Sequence, residues 1–323
     1  MTDFDFKDFQ KNLFSDSPPF EDLKNQLWEY QLATNHVIQK FCKNLPGKDP
    51  YSIPISFFKH FELKSGDPWK EEMIFESSGT TGQTPSQHFI RDLSLYEKNC
   101  LKGFYHFFPK QNYRILALLP SYLERGNSSL VYMVQTWINN FGLPGSGFFL
   151  DNVDELYTSL KKGAAKGEPM ILIGVSFALL DLAENETIKL PPETIVIETG
   201  GMKGRRRELI RKELHQILKT GLGVNQISSE YGMTELLSQA YTVDSGRFKP
   251  SPTMQVFVSD IHLDRLIEKP GVTGRLHVID LANIHSCAFI ATDDIGRMHE
   301  DGSFEVLGRL DHAEMRGCNL MYE

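Results

Sequence analysis

At 323 residues the chain is long enough to bury a large core, and 41% hydrophobic against 24% charged residues is the balance of an ordinary globular protein. A formal net charge of −8 argues against a nucleic-acid backbone as main partner, although a local ring of N–H groups can still hold the phosphates of a nucleotide. No apolar run approaches bilayer length, Met1-Thr2-Asp3-Phe4-Asp5 lacks the regions of a signal peptide, and Cys42, Cys100, Cys287 and Cys318 form no CxxC pair or zinc spacing. The cytoplasm is the expected location.

Residues 1–72 read as a helical N-terminal segment. Over residues 20–45, Leu23, Leu27, Tyr30, Val37 and Phe41 fall on one face at helical spacing, as in a helix packed on the main body. Pro50, Ile53-Pro54-Ile55 and Phe57-Phe58 then break helicity and predict an extended connector packed by aromatics. After the apolar Met73-Ile74-Phe75 comes Glu76-Ser77-Ser78-Gly79-Thr80-Thr81-Gly82-Gln83-Thr84-Pro85-Ser86. Its glycines let backbone N–H groups converge and its hydroxyls add uncharged donors, which suits a polyphosphate cradle; an ordinary surface loop has the same composition.

The chain then alternates. Helices are expected over residues 93–108, 128–141, 153–162, 177–183 and 205–218. Short apolar runs at 114–119, 147–150, 170–173 and 194–197 read as strands, with a further strand around Gln226-Ile227. Continuous apolar strands alternating with helices predict an α/β layer with a parallel sheet over residues 73–240, binding ligands along the edge after its strands. From 241 to 323, β-like runs at 255–258, 274–279 and 303–307, punctuated by Gly, Pro and Asp, predict a small β subdomain.

Several constellations compete for function. Arg205-Arg206-Arg207, Arg211 and Lys212 interleave with Glu208 and Glu213, a pattern of a solvated helix face. Gly174-Val175-Ser176-Phe177-Ala178 has the strand-to-helix setting of a nucleophile elbow, with His262 or His285 as a base, but a small-residue turn reads the same way. Asp260, His262 and Asp264 alternate without completing a metal shell, and no Gly-Lys-Ser/Thr of a Walker loop is present. Tyr231-Gly232-Met233-Thr234-Glu235 offers a ring for an adenine, a hydroxyl for a phosphate and a hard carboxylate oxygen for Mg²⁺. Asp294, in Thr292-Asp293-Asp294, offers a carboxylate for ribose hydroxyls.

Taken in series, Ser77-Ser78-Gly79-Thr80-Thr81-Gly82, Tyr231-Gly232-Met233-Thr234-Glu235, Thr292-Asp293-Asp294 and Gly308-Arg309-Leu310-Asp311 resemble the successive motifs of the adenylate-forming enzymes, which include the acyl-CoA synthetases. Ile53-Pro54-Ile55-Ser56-Phe57-Phe58-Lys59, Pro120-Ser121-Tyr122-Leu123-Glu124-Arg125-Gly126-Asn127 and Arg316-Gly317-Cys318-Asn319-Leu320 are most similar to the acyl-protein synthetases of the LuxE family. The resemblance implies the α/β N-terminal domain of an adenylate-forming enzyme, with a helical N-terminal segment and a small C-terminal β subdomain, as one catalytic domain. It implies that ATP and Mg²⁺ activate a carboxylic acid, fatty in that family, and that Cys318 takes the acyl group before an acyl-CoA reductase partner of the LuxC type. Ser78, Gly79, Thr80, Thr81 and Gly82 would hold the β- and γ-phosphates, and Gly200, Gly201 and Met202 would line the adenine pocket beside Tyr231 and Gly232. Thr234 would meet the α-phosphate, Glu235 the metal, Asp294 the ribose and Arg309 the ribose or phosphates.

Two departures from the family pattern stand out. Ser86 follows the proline where many relatives carry a lysine, and the sequence stops soon after Gly308-Arg309-Leu310-Asp311, without the mobile C-terminal domain of larger relatives. The second fits transfer to the protein's own cysteine better than a standard CoA ligase. A ligase delivering to CoA or a carrier protein, a non-catalytic scaffold subunit and a hydrolase using Ser176 are the other readings. The aromatics at 104–108 and 148–149 suit an acyl pocket or plain core.

Overall fold

A computed structural model describes residues 4–43, 45, 52–77, 84–120, 126–149, 153–184, 189–200, 209–242, 246–261, 266–267 and 269–310. The N-terminal helical segment is made of α1 (Phe6–Leu13), α2 (Phe20–Thr34) and α3 (His36–Cys42). The single helix expected over 20–45 is broken at Asn35, whose Oδ1 accepts from the N–H groups of Val37 and Ile38 at 3.0 and 3.3 Å. The Asn35 Nδ2 donates to Ser65 Oγ at 3.1 Å. An Asn with fixed buried partners caps a new helix more favourably than it continues an old one. Leu23, Leu27, Tyr30 and Val37 are buried as the stripe predicts.

The connector forms β1 (Ile53–Pro54) and one helical turn, α4 (Phe57–His60). Next come β2 (Met73–Glu76) and β3 (Gln87–Ile90), an antiparallel pair that flanks the Ser/Thr/Gly loop. Their junction is closed by Ser77 N–H to Ser86 O at 3.0 Å and Ser86 N–H to Ser77 Oγ at 2.8 Å. Then α5 (Leu93–Phe107) starts at its cap Asp92, and β4 (Arg114–Leu118) follows. Ser128 caps α6 (Ser129–Phe141), which leads to β5 (Gly147–Phe148), α7 (Val153–Ala165), β6 (Met170–Val175) and α8 (Ser176–Ala183). The layer ends with β7 (Ile195–Thr199), α9 (Arg211–Leu222) and β8 (Ile227–Tyr231).

Strands β4 to β8 pair in parallel in the order β8-β7-β6-β4-β5. Every residue of β4 and β6 is buried, as required of strands covered on both faces. The aromatics of α5 are mostly core: Phe104 stacks on Phe108 and Phe141 at 4.8 and 5.2 Å and lies 4.7 Å from Trp137.

The antiparallel strands continue the same sheet. They are β9 (Ala240–Thr242), β10 (Phe248–Pro250), β11 (Met254–Ser259), β12 (Thr273–Asp280), β13 (Phe289–Met298) and β14 (Phe304–Arg309). The full order among the described residues is β11-β12-β13-β14-β10-β9-β8-β7-β6-β4-β5, with β1 parallel to β13 off this path. A second hydrophobic cluster joins this antiparallel half to the N-terminal helices, with Trp28 edge-on to Phe289 at 5.0 Å. Gln31 is buried there, donating to the carbonyls of Asn283 and Ile284 and accepting from Ala288 N–H.

Asp280, at the end of β12, ties this half to the segment after Glu235. Fully buried, it accepts from Leu237 N–H at 2.7 Å, Ser238 N–H at 3.0 Å, Ser238 Oγ at 2.6 Å and Ala282 N–H at 3.1 Å. Asp280→Ala would orphan four buried donors, so it is expected to cost about 3 kcal/mol or more in denaturant unfolding. A loss below about 1 kcal/mol would show that the donors find other partners.

Candidate active site

Three of the residues singled out in the sequence meet where β8, β13 and β14 come together. Asp294 on β13 is opposite Arg309 on β14 in the antiparallel register, and their Oδ1 and Nε are 3.2 Å apart. Tyr231, the last residue of β8, donates its hydroxyl to the other Asp294 oxygen at 2.8 Å. Asp294 is buried, while the Arg309 side chain is 74% exposed and reaches outward. Thr292 Oγ1 accepts from Asp294 N–H at 3.1 Å, which fixes the strand beneath. Burial pushes the Tyr231 phenol well above its usual range, and the Asp294 charge pushes it further, so Tyr231 stays a donor. Its ring packs near Phe248 and Phe304, with centroids at 5.6 and 5.4 Å.

Beyond Tyr231 the chain turns back through Gly232, Met233, Thr234 and Glu235 toward β9. The sequence placed this motif after a short strand near Gln226; instead β8 runs on through Ser228, Ser229, Glu230 and Tyr231. Glu230 fills the space beside Gly232: a Cβ added there would lie 2.3 Å from Glu230 Oε1, so a larger residue would push that carboxylate aside. Thr234 is half-buried, and its carbonyl accepts from His88 Nδ1–H at 2.8 Å. Glu235 is buried; burial raises its carboxyl, against the Ser86 hydroxyl and the charges of Arg309 and Lys59. Asn283 Nδ2 donates to the Glu235 carbonyl at 2.8 Å. Gly200 ends the β7 edge with φ 71°, a left-handed conformation that glycine adopts freely. Ser78, Gly79, Thr80, Thr81, Gly82, Gly201, Met202 and Cys318 lie outside the described residues, as do His262, Asp264 and Arg205-Arg206-Arg207.

One buried network escaped the sequence reading. Glu198, near the end of β7, accepts from Ser176 Oγ at 2.7 Å and from Ser229 Oγ. His215 Nε2–H donates to Ser229 Oγ at 2.9 Å, and Arg211 Nε is 3.8 Å from Glu198 Oε1. Burial alone would raise the Glu198 carboxyl, but hydrogen bonds from His215, Ser229 and Ser176 and the Arg211 charge hold it below its usual value. A lone acid closing the apolar run Ile195-Val196-Ile197 was the available signal. Two readings change with it. Arg211 is not on a solvated face: its guanidinium lies 4.4 Å from the centre of the Phe248 ring. Ser176 has the expected strand-to-helix setting, but its hydroxyl is spent on Glu198, and His285 is far along the fold, packed against Phe6 at 5.2 Å. On the opposite face of the sheet Thr199 Oγ1 donates to Glu230, whose carboxyl burial pushes up to about 7.

Two cavities of about 660 Å³ each open elsewhere. One, lined by Phe107, Phe108 and Met170, lies at the opposite edge of the parallel strands from the motifs, and the other beside Phe257 and His277 on the antiparallel half. Among the described residues no group of three or more His, Cys, Asp or Glu is placed to hold a metal ion, and no helix is long and apolar enough to cross a membrane.

Solved structures of adenylate-forming enzymes share this architecture. ATP-bound MatB from Rhodopseudomonas palustris matches with a TM-score of 0.55 at 18% identity, covering 76% of this chain and 50% of that one. O-succinylbenzoate coenzyme A synthetase (MenE) from Bacillus subtilis matches at 0.52 and 16% identity, over 73% and 51%. The adenylation domain of a keto acid-selecting NRPS module matches at 0.51 and 14%, over 76% and 53%. The chain thus has the adenylate-forming fold and spans about half the length of these structures. No curated protein matches it in sequence. The family model "Acyl-protein synthetase, LuxE" matches residues 129–323, and the chain belongs to that family.

Burial pulls the His88 imidazole down to about 4, against its bond to the Thr234 carbonyl. With a folded value below the unfolded 6.5, His88 contributes stability that is complete above about pH 6.5 and is lost as pH falls toward 4, about 3 kcal/mol in all. Thermal midpoints measured from pH 7 to pH 4.5 should therefore fall less steeply in His88→Gln than in the parent; equal slopes would contradict the assignment.

Proposed function

We propose that this protein activates a carboxylic acid with ATP and carries the acyl group on Cys318. The observation that carries the reading is the buried Asp294 carboxylate, fastened by Tyr231 and Arg309 at the strand junction beside Thr234 and Glu235. A carboxylate fixed in this way can accept both hydroxyls of a ribose. With the ribose on Asp294, the adenine would lie by Tyr231, Gly232 and the turn of Gly200, Gly201 and Met202. The triphosphate would run past Thr234 to the N–H groups and hydroxyls of Ser78, Gly79, Thr80, Thr81 and Gly82. Glu235 suits Mg²⁺, since a single carboxylate plus phosphate oxygens is how this ion is commonly held and its buried carboxyl has no ion-pair partner among the described residues. The ion would neutralise charge on the phosphates.

The substrate carboxylate attacks the α-phosphorus, the bond to the bridging oxygen breaks, and its electron pair leaves with pyrophosphate. The chain's work is positioning and charge stabilisation. The Cys318 thiolate then attacks the acyl carbonyl and AMP departs, leaving a thioester. We assign a fatty acid as substrate, an acyl-CoA reductase as onward partner and the cytoplasm as location from family membership. The three segments 1–72, 73–240 and 241–323 then act as one catalytic domain.

ATP–pyrophosphate exchange across a panel of carboxylic acids tests the first half. Absence of exchange with every acid would sink it and favour a scaffold. Asp294→Ala should lower kcat/KM for ATP about 10- to 100-fold, the worth of one or two lost charged hydrogen bonds. For the second half, acyl label on the parent should be released by hydroxylamine and be missing in Cys318→Ser. Exchange without such a label would point to delivery to CoA or a carrier protein.

A further inference from the structure

Read as a phosphate cradle, the loop between β2 and β3 brings hydroxyls and N–H groups but no lysine near its end. Ser86 stands there, 2% exposed, with its N–H on Ser77 Oγ. The wall behind it holds two further acids, Glu235 and Asp294, both buried. Arg309 is already engaged by Asp294 at 3.2 Å. A polyphosphate entering this space needs another positive charge.

The connector before the loop supplies one. β1 runs parallel to β13, with Ile53 opposite Ile290 and Pro54 opposite Ala291, and Ile55 N–H donates to Ala291 O at 2.9 Å. That fastening is three residues from Asp294 in the same strand. The next turn, α4, is fastened a second time. Phe58, 1% exposed, sets its ring edge-on to His88 at 5.4 Å, and His88 Nδ1–H holds the Thr234 carbonyl at 2.8 Å. Buried Phe58 therefore seats α4 against the peptide that leads into Glu235. Lys59 follows it, exposed, and no carboxylate among the described residues pairs with it. Its charge, with that of Arg309, acts on the Glu235 carboxyl.

We propose that Lys59 is a phosphate-binding and catalytic cation of this site, meeting the ATP phosphates beside Thr234 and Glu235. An ammonium on a flexible stem is a point charge well suited to phosphate oxygens. As the bond from the α-phosphorus to its bridging oxygen breaks, the electron pair goes to pyrophosphate, and Lys59 stabilises that growing charge without giving up a proton. The inference rests on the adenylation reading above. It gives the N-terminal segment a chemical task.

The test uses the full chain with Lys59→Ala and Lys59→Arg, ATP–pyrophosphate exchange across the same acid panel, and calorimetric titration with pyrophosphate. Lys59→Ala should lower kcat/KM for ATP about 10- to 100-fold, the worth of one or two lost charge-assisted hydrogen bonds. It should weaken pyrophosphate binding, while Lys59→Arg recovers most of both. The thermal midpoint should not move, because the side chain is exposed. Exchange and pyrophosphate affinity within twofold of the parent in Lys59→Ala would overturn the role of Lys59 and leave adenylation standing. A parent chain with no exchange for any acid would overturn both.

Discussion

The structure turns on β8, which must satisfy two kinds of neighbour at once. Along one edge it pairs in parallel with β7, and along the other it pairs antiparallel with β9. A parallel neighbour needs a long crossover, whereas an antiparallel one can follow after a tight return. The return after Tyr231 is therefore confined to the edge of the sheet where the parallel strands end. It holds Thr234 and Glu235 there, facing the strand pair that carries Asp294 and Arg309. The site is a by-product of a change in pairing sense.

An acidic protein has placed five carboxyl groups out of water near this junction: Glu198, Glu230, Glu235, Asp280 and Asp294. They are not all accommodated in the same way. Glu198 and Asp280 are surrounded by donors and serve as ties between elements. Asp294 is divided between a phenol and a guanidinium. Glu230 has the Thr199 hydroxyl and a carboxyl raised to about 7, so near neutrality it is an acid that burial keeps partly protonated. Removing a donor from the first group leaves a buried carboxylate short of partners and costs stability.

Much of this was legible in the sequence for a simple reason. Strands buried on both faces read as apolar runs, as β6 does throughout and β4 and β7 do apart from Arg114 and the closing Glu198-Thr199, and helices that cover them must repeat at 3.6 residues. Asp294 and Arg309 could each be named because their motifs carried the resemblance, but nothing in the sequence put them in register or paired them. The antiparallel half was harder. β13 reads Phe289-Ile290-Ala291-Thr292-Asp293-Asp294, and its acids conceal a strand whose partners lie elsewhere in the chain. Asn35 looked like one more helical residue until Ser65 appeared beside it, and Arg211 looked solvated until Phe248 did. Contacts between distant segments decide such positions, and local pattern is blind to them.

The pairing of β1 with β13 has a consequence for how the chain is made. Residues 53 and 290 are neighbours in space, and Gln31 waits for the carbonyls of Asn283 and Ile284. During synthesis the first sixty residues leave the ribosome long before the strand that buries them. The parallel layer, built from closely spaced elements, is free to close earlier. The N-terminal helices are first in the sequence, yet their packing can be completed only after residues 283–290 have emerged.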